Sequence, residues 1–101
     1  MSDRKKKIQH FEAILNQGNE ILDAMDALIE QWDNYQSQFK ALMDYYSSPQ
    51  WAQDYEDSND GAFKDIACGV LSQDAVYDLY ARQKAANLYL MRTALKYIEE
   101  F

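Results

Sequence analysis

Apolar residues recur at heptad spacing from Ile8 to Tyr46 without a break in phase. One seam is Ile8, Leu15, Leu22, Ile29, Gln36 and Met43, and the other is Phe11, Gly18, Met25, Trp32, Phe39 and Tyr46. Ile14, Ile21, Leu28, Tyr35 and Leu42 run beside them. The stripe is therefore three residues wide, broader than a two-stranded seam and suited to a helical bundle. The spacing predicts one long helix over about 4–47, its periodic part extending ~58 Å at 1.5 Å per residue. Gly18 costs that helix about 1 kcal/mol relative to alanine and is the natural place for a bend. Because the heptad stays in phase across it, the helix is not split there.

Ser47-Ser48-Pro49 ends this pattern. Pro49 suits the first position of a helix capped by Ser48, and a short helix over about 49–57 then carries Trp51 and Tyr55 on one face. Ser58-Asn59-Asp60-Gly61 reads as a turn. A single helical turn over about 63–68 is expected to bury Phe63 and Ile66 and to stop at Gly69. The next helix, about 73–100, has the best-specified start in the chain. Ser72 is its N-cap candidate, Asp74 complements the positive end of the dipole, and Leu71 with Val76 can form a hydrophobic staple across the cap. Its apolar positions are Tyr77, Ala81, Leu88, Met91, Leu95 and Ile98, with a second stripe of Val76, Tyr80, Ala94 and Phe101.

The predicted fold is all-α, a single domain over 1–101 built as a long antiparallel helical hairpin with a short connector helix. The last helix, ~44 Å long, falls short of the first by about 15 Å. Antiparallel packing then leaves Ile8, Phe11, Ile14 and Leu15 without a partner in the chain, and an exposed stripe of that size marks an association surface. A homodimer that completes a bundle is the expected assembly.

Charge refines this picture. The net charge of −7 is segregated: residues 1–10 carry +3, residues 11–81 carry −12 and residues 82–101 carry +2. An acidic body repels phosphate, so neither nucleic acid nor an anionic membrane is an expected partner. Arg4 to Lys7 read as a solvated first helical turn. Cys68, the one cysteine, can form no bridge within the chain, which fits a reducing compartment. The amino-terminal residues lack the continuous apolar run of a signal peptide, and no stretch has membrane-spanning length. A cytoplasmic location is expected.

Three segments carry a family likeness: Tyr45-Tyr46-Ser47-Ser48 leading to Trp51, then Asp54-Tyr55-Glu56, then Gly69-Val70-Leu71-Ser72-Gln73-Asp74-Ala75-Val76-Tyr77-Asp78-Leu79. Together they resemble a small bacterial family known as domain of unknown function 4298. The Gly-Val-Leu-Ser element is the specific part of the match, since the first helix alone is similar to many coiled coils. The resemblance implies a long amphipathic helix, an aromatic and acidic connector, a second helix and an uncharacterised, non-enzymatic role. It supplies no catalytic residues. Phe63 stands where the family tends to have proline, and Ala67 and Cys68 where it tends to have basic residues, so no basic function of the connector carries over.

Candidate chemistry is sparse. Asp23, Asp26, Glu30 and Asp33 line one strip of the first helix beside the apolar seam. Glu20-x-x-Asp23 with Glu30-x-x-Asp33 resembles half of the Mg²⁺ site of all-helical nucleotide pyrophosphohydrolases. The last helix offers no matching pair in its interior. Neutralisation of the strip by Arg82, Lys84, Arg92 and Lys96 is the plainer expectation. A calcium loop with Gly61 at its sixth position would put Glu56, Ser58 and Asp60 at ligand positions one, three and five but Ala67 at the twelfth, where the bidentate glutamate belongs, so it fails. His10, the one histidine, rules out a di-iron bundle and a histidine-based zinc site. There is no nucleophile elbow, and the three glycines are too scattered for a phosphate loop. Cys68 beside Asp65 is a poor nucleophile and a plausible small core residue.

What remains is the aromatic excess. Tyr35, Tyr45, Tyr46, Trp51, Tyr55, Tyr77 and Tyr80 converge where the helices meet the connector. Most are expected in the core or at its rim. As a surface, Tyr45, Tyr46, Trp51, Asp54 and Tyr55 form the candidate site for a protein partner. The sequence therefore favours a non-catalytic protein–protein interaction or adaptor module without a cofactor. The alternative is a Mg-dependent pyrophosphohydrolase-like enzyme using Glu20, Asp23, Glu30 and Asp33.

Overall fold

The computed structural model describes residues 2–101, and every regular element in it is helical. Helix α1 spans Ser2–Tyr46, α2 spans Pro49–Asn59 and α3 spans Ala75–Glu100, with a 3₁₀ turn at Gly69–Leu71. The all-α class is as the periodicity predicts, and the order of elements is the one a helical hairpin requires. The chain divides into two compact units, Met1–Phe39 and Lys40–Phe101.

The first unit holds α1 as far as Phe39. Its helix runs through Gly18 without interruption, in line with the unbroken heptad. No residue of α1 is buried. Trp32 stacks on Tyr35 at 6.0 Å, and Tyr35 meets Phe39 at 6.3 Å.

The second unit contains the end of α1, the connector and α3. Ser48 starts α2 as expected. Its hydroxyl oxygen accepts the Trp51 backbone N–H at 3.3 Å while the hydroxyl donates to the Tyr45 carbonyl at 2.6 Å, and Pro49 occupies the first turn. One oxygen thus closes α1 and opens α2. The end of α2 lies two residues beyond the expected 57, because Gly61 supplies the stop. At φ +88° it adopts the left-handed conformation that L-residues resist. The Gly61 N–H donates to the Ser58 carbonyl and the Ala62 N–H to the Asp57 carbonyl, each at 3.0 Å, the paired bonds of a Schellman motif.

The region from 63 to 68 differs from expectation. It is a series of turns with one turn bond, from the Ile66 N–H to the Phe63 carbonyl at 3.2 Å. Phe63 is half-buried but Ile66 is 62% exposed, so the expected burial of Ile66 is corrected. Gly69 begins the 3₁₀ turn where it was expected to end one. The Leu71 N–H reaches back to the Cys68 carbonyl at 2.9 Å, and the Ser72 N–H to the Gly69 carbonyl at 3.1 Å, which places the tight turn three residues later in the chain.

Ser72 keeps the bond its position predicts but not the place. It has extended backbone, and its hydroxyl oxygen accepts the Ala75 N–H at 3.1 Å. Gln73 and Asp74 form a turn, α3 begins at Ala75, and the residue at its N-cap is Asp74, whose side chain makes no cap bond. Leu71 and Val76, the two residues of the predicted staple, are the buried apolar side chains among the described residues, at 8% and 4% exposure. The core lies at the junction of the 3₁₀ turn with α3.

Candidate functional site

The connector residues are brought together by hydrogen bonds more than by burial. Tyr45, Tyr46, Trp51, Asp54 and Tyr55 are all half-buried, each with one face on the protein and one open. Their spacing explains the arrangement. Tyr45 and Tyr46 occupy the last turn of α1, while Trp51 and Tyr55, four apart, share a face of α2. The Tyr46 ring meets Trp51 edge-on at 5.0 Å and 72°, and Trp51 stacks on Tyr55 at 5.3 Å and 12°. These are the favourable edge-to-face and stacked geometries of aromatic pairs.

Two of the rings also anchor the chain that follows. The Trp51 indole N–H donates to the Val70 carbonyl at 2.9 Å, and the Tyr46 hydroxyl donates to the Gln73 carbonyl at 3.0 Å. They tie the 3₁₀ turn and the entry of α3 to the corner between α1 and α2. The expectation that the aromatics converge at this corner holds for Tyr46, Trp51 and Tyr55. The acceptors at Val70 and Gln73 are main-chain atoms and leave no sequence signal.

On the neighbouring side, Asp54 receives two donors. The Tyr45 hydroxyl reaches Oδ2 at 2.6 Å and the Gln50 amide reaches Oδ1 at 2.7 Å. This bond, with partial desolvation and the Asp54 charge, raises the Tyr45 pKa above the ordinary phenol value. The pair borders a cleft of about 290 Å³ whose other walls are Phe63, Ile66, Ala67, Cys68, Val70 and Leu71. The cleft is mostly apolar with one polar edge. The Cys68 thiol lies 3.5 Å from the carbonyls of Phe63 and Ile66 and is half-buried, as a small packing residue would be. Phe63, Ile66 and Val70 were not singled out as site residues from the sequence. Their apolar character is visible there, but the turns that fold them onto Tyr45 are not.

A larger hollow of about 440 Å³ lies along Arg92, Leu95, Lys96, Glu99 and Glu100. It is bounded by one face of a single helix and brings no separate elements together. On α1, Glu20, Asp23, Asp26, Glu30 and Asp33 are all exposed. Among the described residues, no group of three or more His, Cys, Asp or Glu side chains is placed to hold a metal ion. Ile8, Phe11, Ile14 and Leu15 are exposed along the first unit.

The model of the family described as domain of unknown function 4298 matches residues 8–93. The chain belongs to this family. The matched span takes in most of α1, the whole connector with its aromatic corner, and most of α3, so the candidate site lies inside the family domain. No curated protein and no solved structure matches the chain. No helix among the described residues is long and apolar enough to cross a membrane.

Proposed function

We propose that this member of the family is a cytoplasmic, non-catalytic protein–protein interaction or adaptor module that works as a homodimer. The observation that carries the reading is the mismatch between apolar surface and core. Large apolar side chains are exposed along both α1 and α3, while only Leu71 and Val76 are buried among the described residues. An apolar stripe repeated along one helix face and left exposed is the mark of an interaction surface. The aromatic corner adds a second, more specific face. Tyr45, Tyr46, Trp51 and Tyr55 are held in fixed orientations by hydrogen bonds and stacking beside the Asp54 carboxylate and the cleft. Half-buried aromatics fixed in this way lose little entropy on binding and serve as anchors.

The test is comparative affinity capture from native lysate with the full chain, its Tyr55→Ser variant and its Ile66→Asp variant, with helicity followed by circular dichroism. The reading expects a protein retained by the wild type and released by both variants at unchanged helicity. Retention of the same protein by all three would remove the corner from function. Nucleotide hydrolysis stimulated by Mg²⁺ in the purified protein would replace the adaptor reading with an enzymatic one.

A further inference from the structure

Eight of the nine exposed large apolar residues of the first unit are arranged symmetrically about Gly18, the ninth, Ile29, falling opposite Lys7. Leu15 and Ile21 stand three residues from it, Ile14 and Leu22 four, Phe11 and Met25 seven, and Ile8 and Leu28 ten. All eight are between 47% and 65% exposed. Together they present on the order of 800 Å², which is what each partner contributes to a standard stable interface.

Resting on the homodimer reading above, we infer that a second copy of this chain lays its α1 antiparallel on the first, with the two-fold axis beside Gly18. Reversing the helix about that point carries Ile8 onto Leu28, Phe11 onto Met25, Ile14 onto Leu22 and Leu15 onto Ile21, so each of the eight meets another large apolar side chain. Charge selects this orientation over the parallel one. Parallel, in-register packing sets Arg4 to Lys7 beside the same four bases and the acidic stretch beside itself. Antiparallel packing brings Lys6 level with Glu30 of the second copy, sets the basic first turns alongside the stretch that carries Asp26, Glu30 and Asp33, and runs the two helix dipoles head to tail. Asp3 is the exception, falling level with Asp33 of the second copy.

Gly18 fits the same geometry. A glycine inside a helix is unfavourable, and a Cβ built there would meet nothing within 4 Å, so no packing inside the chain calls for its absence. At a two-fold axis the backbones approach most closely, and a missing side chain is what permits it.

The test uses the full chain carrying Cys68→Ser, with Phe11→Cys and Met25→Cys introduced separately and mild oxidation applied to each and to their mixture. The expected result is a disulfide-linked pair in the mixture and none in either variant alone. Cross-linking of each variant with itself would overturn the antiparallel orientation. Sedimentation as a dimer without either pattern would overturn the α1 interface while leaving the homodimer standing. A strict monomer at high concentration would overturn both. Gly18→Leu adds a check on the axis: at unchanged helicity it should weaken the dimer at least tenfold, and an unchanged or tighter dimer would place the axis elsewhere.

Discussion

The Tyr45 hydroxyl and the Asp54 carboxylate are joined by a 2.6 Å hydrogen bond between the last turn of α1 and the middle of α2. Ionising the phenol removes its only proton and sets two negative charges in contact, which is why the Tyr45 pKa is raised by the bond first, then by desolvation and the Asp54 charge. A folded-state value above the unfolded one means the contribution is fully present below about pH 10 and is lost as pH rises through the folded value. An absorbance titration of tyrosinate should therefore contain one component above the ordinary phenol range. Tyr45→Phe should remove that component, and Asp54→Asn should bring it down.

Trp51 is fixed by both its ring and its indole N–H. Trp51→Phe keeps an aromatic surface against Tyr46 and Tyr55 but leaves the Val70 carbonyl without its donor. The expected loss is about 1 kcal/mol, the net worth of one such bond. Trp51→Ala also removes the stacking and should cost more. Urea unfolding followed by far-ultraviolet circular dichroism measures both.

The two serine caps predict separable effects. Ser72→Ala frees the Ala75 N–H and should cost about 1 kcal/mol. Ser48→Ala should cost at least as much, since the Ser48 hydroxyl also bonds the Tyr45 carbonyl. Thermal melts of the single and double variants should add, because the two caps share no partner.

Gly61→Ala should destabilise the chain by about 1 kcal/mol because its φ of +88° disfavours any Cβ. The Cβ would also come within 2.7 Å of Lys64 Cε, but that is the flexible end of a long side chain and can move. Combining Gly61→Ala with Lys64→Ala should accordingly recover little of the loss. Denaturant melts of the two variants decide the point.

Leu71 and Val76 are the core, and truncating either should be costly. Leu71→Ala is expected to cost about 2 kcal/mol or more, near the lower end of buried leucine truncations because the site borders an open cleft. The measurement is again the unfolding midpoint.

Periodicity and capping chemistry made much of this architecture readable. The heptad named α1 because a period maintained over so many residues has one geometric meaning. Ser48-Pro49 and Leu71-Ser72 named their junctions because caps and staples are local devices with local signatures. The stretch from 63 to 68 was misread for the opposite reason. Its shape depends on the Schellman stop at Gly61 and on the Cys68 carbonyl accepting from Leu71, and neither follows from the residues in the stretch itself. The candidate site divides in the same way: Tyr45, Tyr46, Trp51, Asp54 and Tyr55 were visible as an aromatic and acidic run, whereas the cleft wall was not. Whether α2 bends toward Val70 is a long-range matter that spacing does not encode.

Both anchors of the corner end on peptide oxygens, one at Val70 and one at Gln73. Every amino acid brings that oxygen, so substitution at these two positions leaves the clasp intact as long as the backbone path holds. The donors have less latitude, because a replacement must carry an N–H or O–H of the same reach and direction. Variation should therefore be tolerated at 70 and 73 and punished at 46 and 51, an asymmetry that lets the exposed rim beside the cleft change its chemistry without loosening the joint beneath it.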